Sequence, residues 1–169
     1  MDNKIKLNIA VLTISDSRTN KTDKSGNLLV KLIEESGHTI IDKSIVIDSI
    51  YSIRNIISQW IDNETINAVI TTGGTGVTGR DGTPEAVEVL FDKKIDGFGE
   101  IFRYISYKKI KTSTIQSRAL AGVANATYIF CLPGSPGACK DAWLEIIQHQ
   151  LDSNNKPCNL VELMPRLKN

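Results

Sequence analysis

INAVITTGGTGVTGRDGTPEA, residues 66–86, is a strand, a glycine run and a helix start in direct succession. INAVITT is apolar and β-branched, the pattern of a buried strand. Five of the chain's twelve glycines follow it. Thr83-Pro84-Glu85 then has the form of a helix opening, with threonine as N-cap, proline at the first helical position and an acid in the first turn. A strand passing through a loop into a helix is the repeating unit of a parallel α/β sheet.

The same unit recurs outward in both directions. IKLNIAVLTI, residues 5–14, reads as a strand and is followed by the polar loop SDSRTNKTDKSG. Leu28, Leu29, Leu32 and Ile33 recur at helical spacing, and Gly37 stands where a C-terminal cap belongs. HTIIDKSIVID is a second strand ending at Asp48, and Ile53, Ile56, Ile57, Trp60 and Ile61 make an amphipathic helix. Downstream, Phe98, Ile101, Phe102 and Ile105 mark one helix face, and TYIFCLP is another strand, running into PGSPGA. Ala142, Trp143, Ile146, Ile147 and Leu151 mark a late helix. The last fifteen or so residues, with Pro157 and Pro165, read as an extended tail over the surface or onto a neighbouring subunit. With no repeat or linker, residues 1–169 form one α/β domain whose mostly parallel sheet is covered on both faces. Four polar loops, SDSR, the segment at Asp48, GGTG and PGSPG, each follow a strand. They therefore converge on one sheet edge, where ligands bind in such folds.

Composition narrows the function. Hydrophobic residues make up 41% and charged residues 23% of the chain, and the formal net charge is +1. No basic surface announces a nucleic acid. The first apolar run is short and broken by Asn8, which reads as a strand rather than a signal peptide or membrane span. Cys131, Cys139 and Cys158 lack metal or redox spacing and read as reduced thiols of a cytoplasmic protein.

Gly74-x-Gly76-x-x-Gly79 has the letters of a dinucleotide fingerprint, but the helix starts too late and the motif follows the third strand instead of the first. An oxidoreductase reading is correspondingly weak. No Gly-Lys-Ser/Thr follows, so it is not a P-loop either. What remains is a loop whose amides can face an anion, with Thr71, Thr72 and Thr75 adding hydroxyls, or simply a tight turn. PGSPG lacks the first glycine of a nucleophile elbow, and neither His38 nor His149 has an obvious role beside Ser135, which argues against a serine hydrolase. Ser135 donates a hydrogen bond or merely shapes its turn. Asp81 serves as a turn or cap residue, and Asp48 as a loop residue bonding its own backbone, unless the two meet at the sheet edge. There they could hold Mg²⁺ between phosphates. Arg18, Lys21, Lys24, Arg80 and Arg118 are solvated cations or neutralise that anion.

TTGGTGVTGRDGTPEA, ISDSR, FGEIFR, TSTIQSRALAG and CLPGSPGA together resemble the molybdopterin adenylyltransferase family of molybdenum-cofactor biosynthesis, the MoaB/MogA type, and are nearer its MoaB branch. The resemblance implies a three-layer α/β/α sandwich, Rossmann-like, assembling as a homo-oligomer, a trimer or a hexamer. It implies transfer of AMP from Mg-ATP to the phosphate of molybdopterin with release of pyrophosphate. Asp81 and Asp48 match the family's functional aspartates. Ser15, Asp16, Gly73, Gly74, Thr75, Gly76, Ser117, Arg118, Gly134, Ser135 and Pro136 match positions lining its nucleotide and pterin pockets. A catalytically silent pterin-binding carrier on the same fold is the alternative.

Overall fold

The computed structural model describes residues 4–168. The expected domain also includes residues 1–3 and 169, which lie outside the described residues. Strands β1 (Asn8–Ile14), β2 (Thr39–Val46), β3 (Ala68–Thr72), β4 (Lys93–Lys94), β5 (Leu120–Ala124) and β6 (Thr127–Leu132) form one sheet in the order β2-β1-β3-β6-β5-β4. The first four in that order are parallel, and β5 runs antiparallel to both β6 and β4. The switch point, where the chain returns across the sheet, lies between β1 and β3.

Helices α1 (Lys24–Glu35), α2 (Ile50–Asp62), α3 (Thr83–Val87), α4 (Asp96–Ile110) and α5 (Pro136–Ala142) cover both faces. The period-two alternation of the strands divides the core. Ile9 and Val11 of β1, with Tyr128 and Phe130 of β6, pack beneath α1, α4 and α5. Ala10, Leu12 and Ile14, with Ile129 and Cys131, pack beneath α2 and α3. Full burial of such side chains contributes about 1.5–3 kcal/mol each, and both layers are continuous. The result is the expected three-layer sandwich.

Several elements differ in detail from their sequence reading. β1 starts at Asn8, three residues late, and β2 ends at Val46, which leaves Asp48 in the following loop. Gly82, not Thr83, is the N-cap of α3; Thr83 is the first helical residue and its hydroxyl donates to the Gly73 carbonyl at 2.8 Å. On α4, Phe98 and Phe102 are buried, but Ile101 is 50% exposed, and Ser106 takes the inward position expected of Ile105. α5 continues through a π turn at Trp143–Ile147, which buries Trp143 and Ile147. The tail is not extended: it folds as a 3₁₀ turn at Val161–Arg166, buries Val161 in the core and accepts the Tyr128 hydroxyl at the Leu160 carbonyl, 2.8 Å away. Among the described residues no helix is long and apolar enough to cross a membrane.

One core group makes the fold sensitive to pH. His38, 4% exposed, accepts the Leu7 amide at Nδ1 (3.2 Å), and its buried Nε2 has no partner among the described residues. Burial lowers its pKa from an ordinary 6.5 to about 4, with help from Lys4. Between those two values the unfolded chain binds the additional proton, so stability is full above 6.5 and is lost as pH falls. Lowering the pH from 7 to 5 is expected to cost about 2 kcal/mol of unfolding free energy through this group. Urea unfolding at the two pH values measures the loss. His38→Asn, which keeps an acceptor for the Leu7 amide but does not titrate, is expected to remove most of it.

Candidate functional site

The carboxyl ends of β1, β3 and β6 open into one cavity of about 590 Å³. The ISDSR loop enters it from β1, the glycine loop from β3 and the PGSPG loop from β6. Each turn has a local cause. Gly73 (φ +107) and Gly74 (φ +66) occupy conformations that disfavour side chains. Their freedom also permits close contact: a Cβ on Gly73 would lie 2.2 Å from the Ile14 carbonyl oxygen, and one on Gly74 2.4 Å from the Thr83 hydroxyl. At Gly73 backbone therefore packs on backbone at the switch point, and at Gly74 side-chain oxygens reach the bare main chain.

The amides of Gly74 and Thr75 find no protein acceptor among the described residues. Ser135 accepts the Ala138 amide at Oγ (3.2 Å) and so caps α5, leaving its own proton for the cavity. Ser15 accepts the amides of Ser17 and Arg18 in the same manner. The loops thus present several donors to one space, which suits an anion.

Of the residues singled out from sequence, Ser15, Asp81, Ser117, residues 73–76 and residues 134–136 line this cavity. Asp48, Asp16 and Arg118 do not line it; they stand behind the loops. Asp48 lies against the backbone of Gly74, where an added Cβ would meet its Oδ2 at 2.9 Å, and its Oδ1 accepts the Gly82 amide at 3.2 Å. Asp81 lies against Gly76 in the same way, and its Oδ2 accepts both the amide and the hydroxyl of Thr78, at 2.7 and 2.6 Å. Asp16 is joined to Arg80 by two hydrogen bonds and accepts the Asp48 amide, so three loops meet at that pair.

Arg118 is a clamp. Its guanidinium donates to the carbonyls of Gly76 and Asp81, both at 2.6 Å, and pairs with Glu85, while its amide donates to Thr75. The planar fork ties the glycine loop to the start of α3. Of the other cations, Arg18 and Lys24 line the cavity. Among the threonines, Thr71 is fully buried in β3 and Thr72 donates to the Pro133 carbonyl at 2.9 Å; Thr75 alone of the three keeps an uncommitted hydroxyl at the cavity.

The two aspartates are electrostatically unlike. The Thr78 hydroxyl, then its amide, holds the Asp81 carboxyl below the ordinary aspartate range. Burial raises that of Asp48, and the charges of Asp81 and Asp16 raise it further. Among the described residues no group of three or more acidic, histidine or cysteine side chains could cage a metal. Asp81 lines the cavity while Asp48 faces the backbone behind it, which leaves one carboxylate at a space where phosphate oxygens could complete the shell of Mg²⁺, an ion held through one or two protein carboxylates plus phosphate oxygens. The donor set fits a cation that arrives with its phosphates.

Sequence reasoning missed the far wall and the floor. The wall is formed by α4 and the 3₁₀ turn at Lys111–Gln116, including Phe102, Ser106 and Gln116. On the floor, Asp23 is 1% exposed, accepts the Gly26 amide at 2.9 Å to cap α1 and lines the cavity. Its position before a helical run is an N-cap signal that was available in the sequence.

Residues 10–153 match the family described as "Probable molybdopterin binding domain". The chain is similar to molybdenum cofactor biosynthesis protein B of Escherichia coli K12, at 49% identity, over 92% of this chain and 91% of the relative. It is similar to a crystal structure of molybdenum cofactor biosynthesis protein B, with a TM-score of 0.84 and 43% identity, covering 87% of this chain and 92% of that one. The tungsten cofactor synthesizing protein MoaB from Pyrococcus furiosus superposes with a TM-score of 0.80 at 30% identity, covering 97% and 98% of the two chains.

Proposed function

This chain belongs to the probable molybdopterin binding domain family and is a molybdenum-cofactor biosynthesis protein, and from that premise we propose that it adenylylates molybdopterin with Mg-ATP. In this reaction a phosphate oxygen of molybdopterin attacks the α-phosphorus of ATP. The bond from that phosphorus to the oxygen bridging to the β-phosphate breaks, and pyrophosphate carries the electron pair away. Bringing two anions together requires positioning and charge stabilisation more than covalent help from the protein.

The observation that carries this reading is the ionised Asp81 on the rim of a cavity whose glycine loop offers unpaired amides. The amides of Gly74 and Thr75 and the Ser135 hydroxyl would bind phosphate oxygens. Arg118 would keep the loop in shape, and Arg18 and Lys24 would add positive field. Asp81 would hold Mg²⁺, with Asp48 ordering the loop from behind Gly74. The ion supplies neutralisation of the triphosphate and of the departing pyrophosphate.

A catalytically silent pterin carrier is the second reading. It draws on the fact that Asp81 and Arg118 also have complete structural roles within the loop. Incubating the protein with molybdopterin and Mg-ATP separates the two. Stoichiometric pyrophosphate release with AMP joined to the pterin is expected, whereas tight pterin binding without release would establish the carrier.

A further inference from the structure

The cavity floor has a polarity opposite to that of its loops. Thr13, Asp23 and Ser25 all line it, and they are 4%, 1% and 7% exposed. The Thr13 hydroxyl donates its one proton to Asp23 Oδ2 at 2.8 Å, and the Ser25 hydroxyl donates its proton to the Gly134 carbonyl at 3.1 Å. Asp23 is an acceptor, held by the Gly26 amide and paired with Lys43 at 3.1 Å. Lys43 in turn donates to Asn27 at 2.6 Å. Gly26 seals the arrangement, because a Cβ there would lie 2.2 Å from Asp23 Oδ2 and 2.4 Å from Thr13 Oγ1. A hydroxyl has one proton and two lone pairs. With both protons committed inside the protein, the oxygens of Thr13 and Ser25 can offer a ligand lone pairs only.

We propose that this acceptor face selects its ligand by a hydrogen-bond donor, the exocyclic amine of an amino-substituted nitrogen heterocycle, and rejects the oxo analogue. A ring carbonyl placed there would set oxygen lone pairs against oxygen lone pairs, with no proton between them. Adenine and the pterin ring each carry such an amine. The inference rests on the reading of this cavity as a nucleotide and pterin site, but it concerns binding and not transfer.

The test is a calorimetric comparison of two pairs, ATP with inosine triphosphate and pterin with lumazine, in which a carbonyl replaces the amine. In one of the pairs the wild-type protein is expected to bind the amine at least about tenfold more tightly. Thr13→Val is expected to reduce that ratio to within about threefold, and Thr13→Ser to restore it, as a merely structural role would not. Ser25→Ala provides a second variant, with the same direction expected. Equal affinities within both pairs, no binding of either amine, or discrimination that persists in both Thr13→Val and Ser25→Ala overturns the proposal. A protein that discriminates but transfers no AMP keeps it, and one that transfers AMP without discriminating loses it.

Discussion

Asp81→Asn is expected to lower kcat for AMP transfer by at least roughly 10², the scale of removing one transition-state electrostatic group. The substitution isolates charge from shape. An asparagine oxygen can still accept the amide and hydroxyl of Thr78, and Arg118 holds the Asp81 carbonyl, which does not change. Melting temperature is therefore expected to stay within a few degrees of wild type while turnover falls. Asp81→Ala, which also releases Thr78, is expected to lose at least as much turnover and some stability. Because its carboxyl is held below the ordinary range, Asp81 contributes its charge throughout neutral pH. A folded Asp81→Asn protein with turnover within threefold of wild type would leave Asp81 as a turn-forming residue and nothing more.

Gly73→Ala carries the largest expected cost in stability. At φ +107 a side chain is strained, and strain of this kind costs about 1–3 kcal/mol. The new methyl would also lie 2.2 Å from the Ile14 carbonyl oxygen, which belongs to the end of β1 in the middle of the sheet. That oxygen is not the tip of a flexible side chain, so the backbone must shift, for about another 1–3 kcal/mol. The sum is a large part of the roughly 5–15 kcal/mol that keeps a domain folded. A fall in melting temperature of roughly 10 °C, or failure to fold, is expected. Gly79 is the control within the same loop: nothing lies within 4 Å of its added Cβ, and its φ is ordinary. Gly79→Ala is expected to unfold within a degree or two of wild type. Equal melting temperatures for the two variants would show that the Gly73 turn does not have the conformation described.

How well each residue was legible depended on the distance over which its role is decided. The amphipathic helix α2 and the Gly37 cap follow from neighbours in the chain and stand where the pattern placed them, and β1, β2, β3 and β6 exist where they were read, with ends shifted by a few residues. β4 and β5 went unread. β4 has two residues, and β5, LAGVA, has alanine and glycine at three of five positions. Neither carries the bulky β-branched signature of its neighbours; β5 exists because β6 offers it an edge for pairing, and β4 because β5 does so in turn. The N-cap of α3 was misplaced by one residue because the Thr83 hydroxyl turns back to Gly73 across ten residues of loop.

The alternation of strand and helix and the loops that follow the strands, the glycine run among them, were determined by the sequence itself. They arise from periodicity and backbone sterics, which act over a few residues. Tertiary structure decided which polar groups face the cavity. Asp81 lines it and Asp48 stands behind Gly74; Arg118 is occupied by carbonyls 37 and 42 residues away; and Asp23, the cap of α1, meets Lys43 of β2. Charges and hydrogen bonds act through space, and only the order of strands in the sheet brings those partners together.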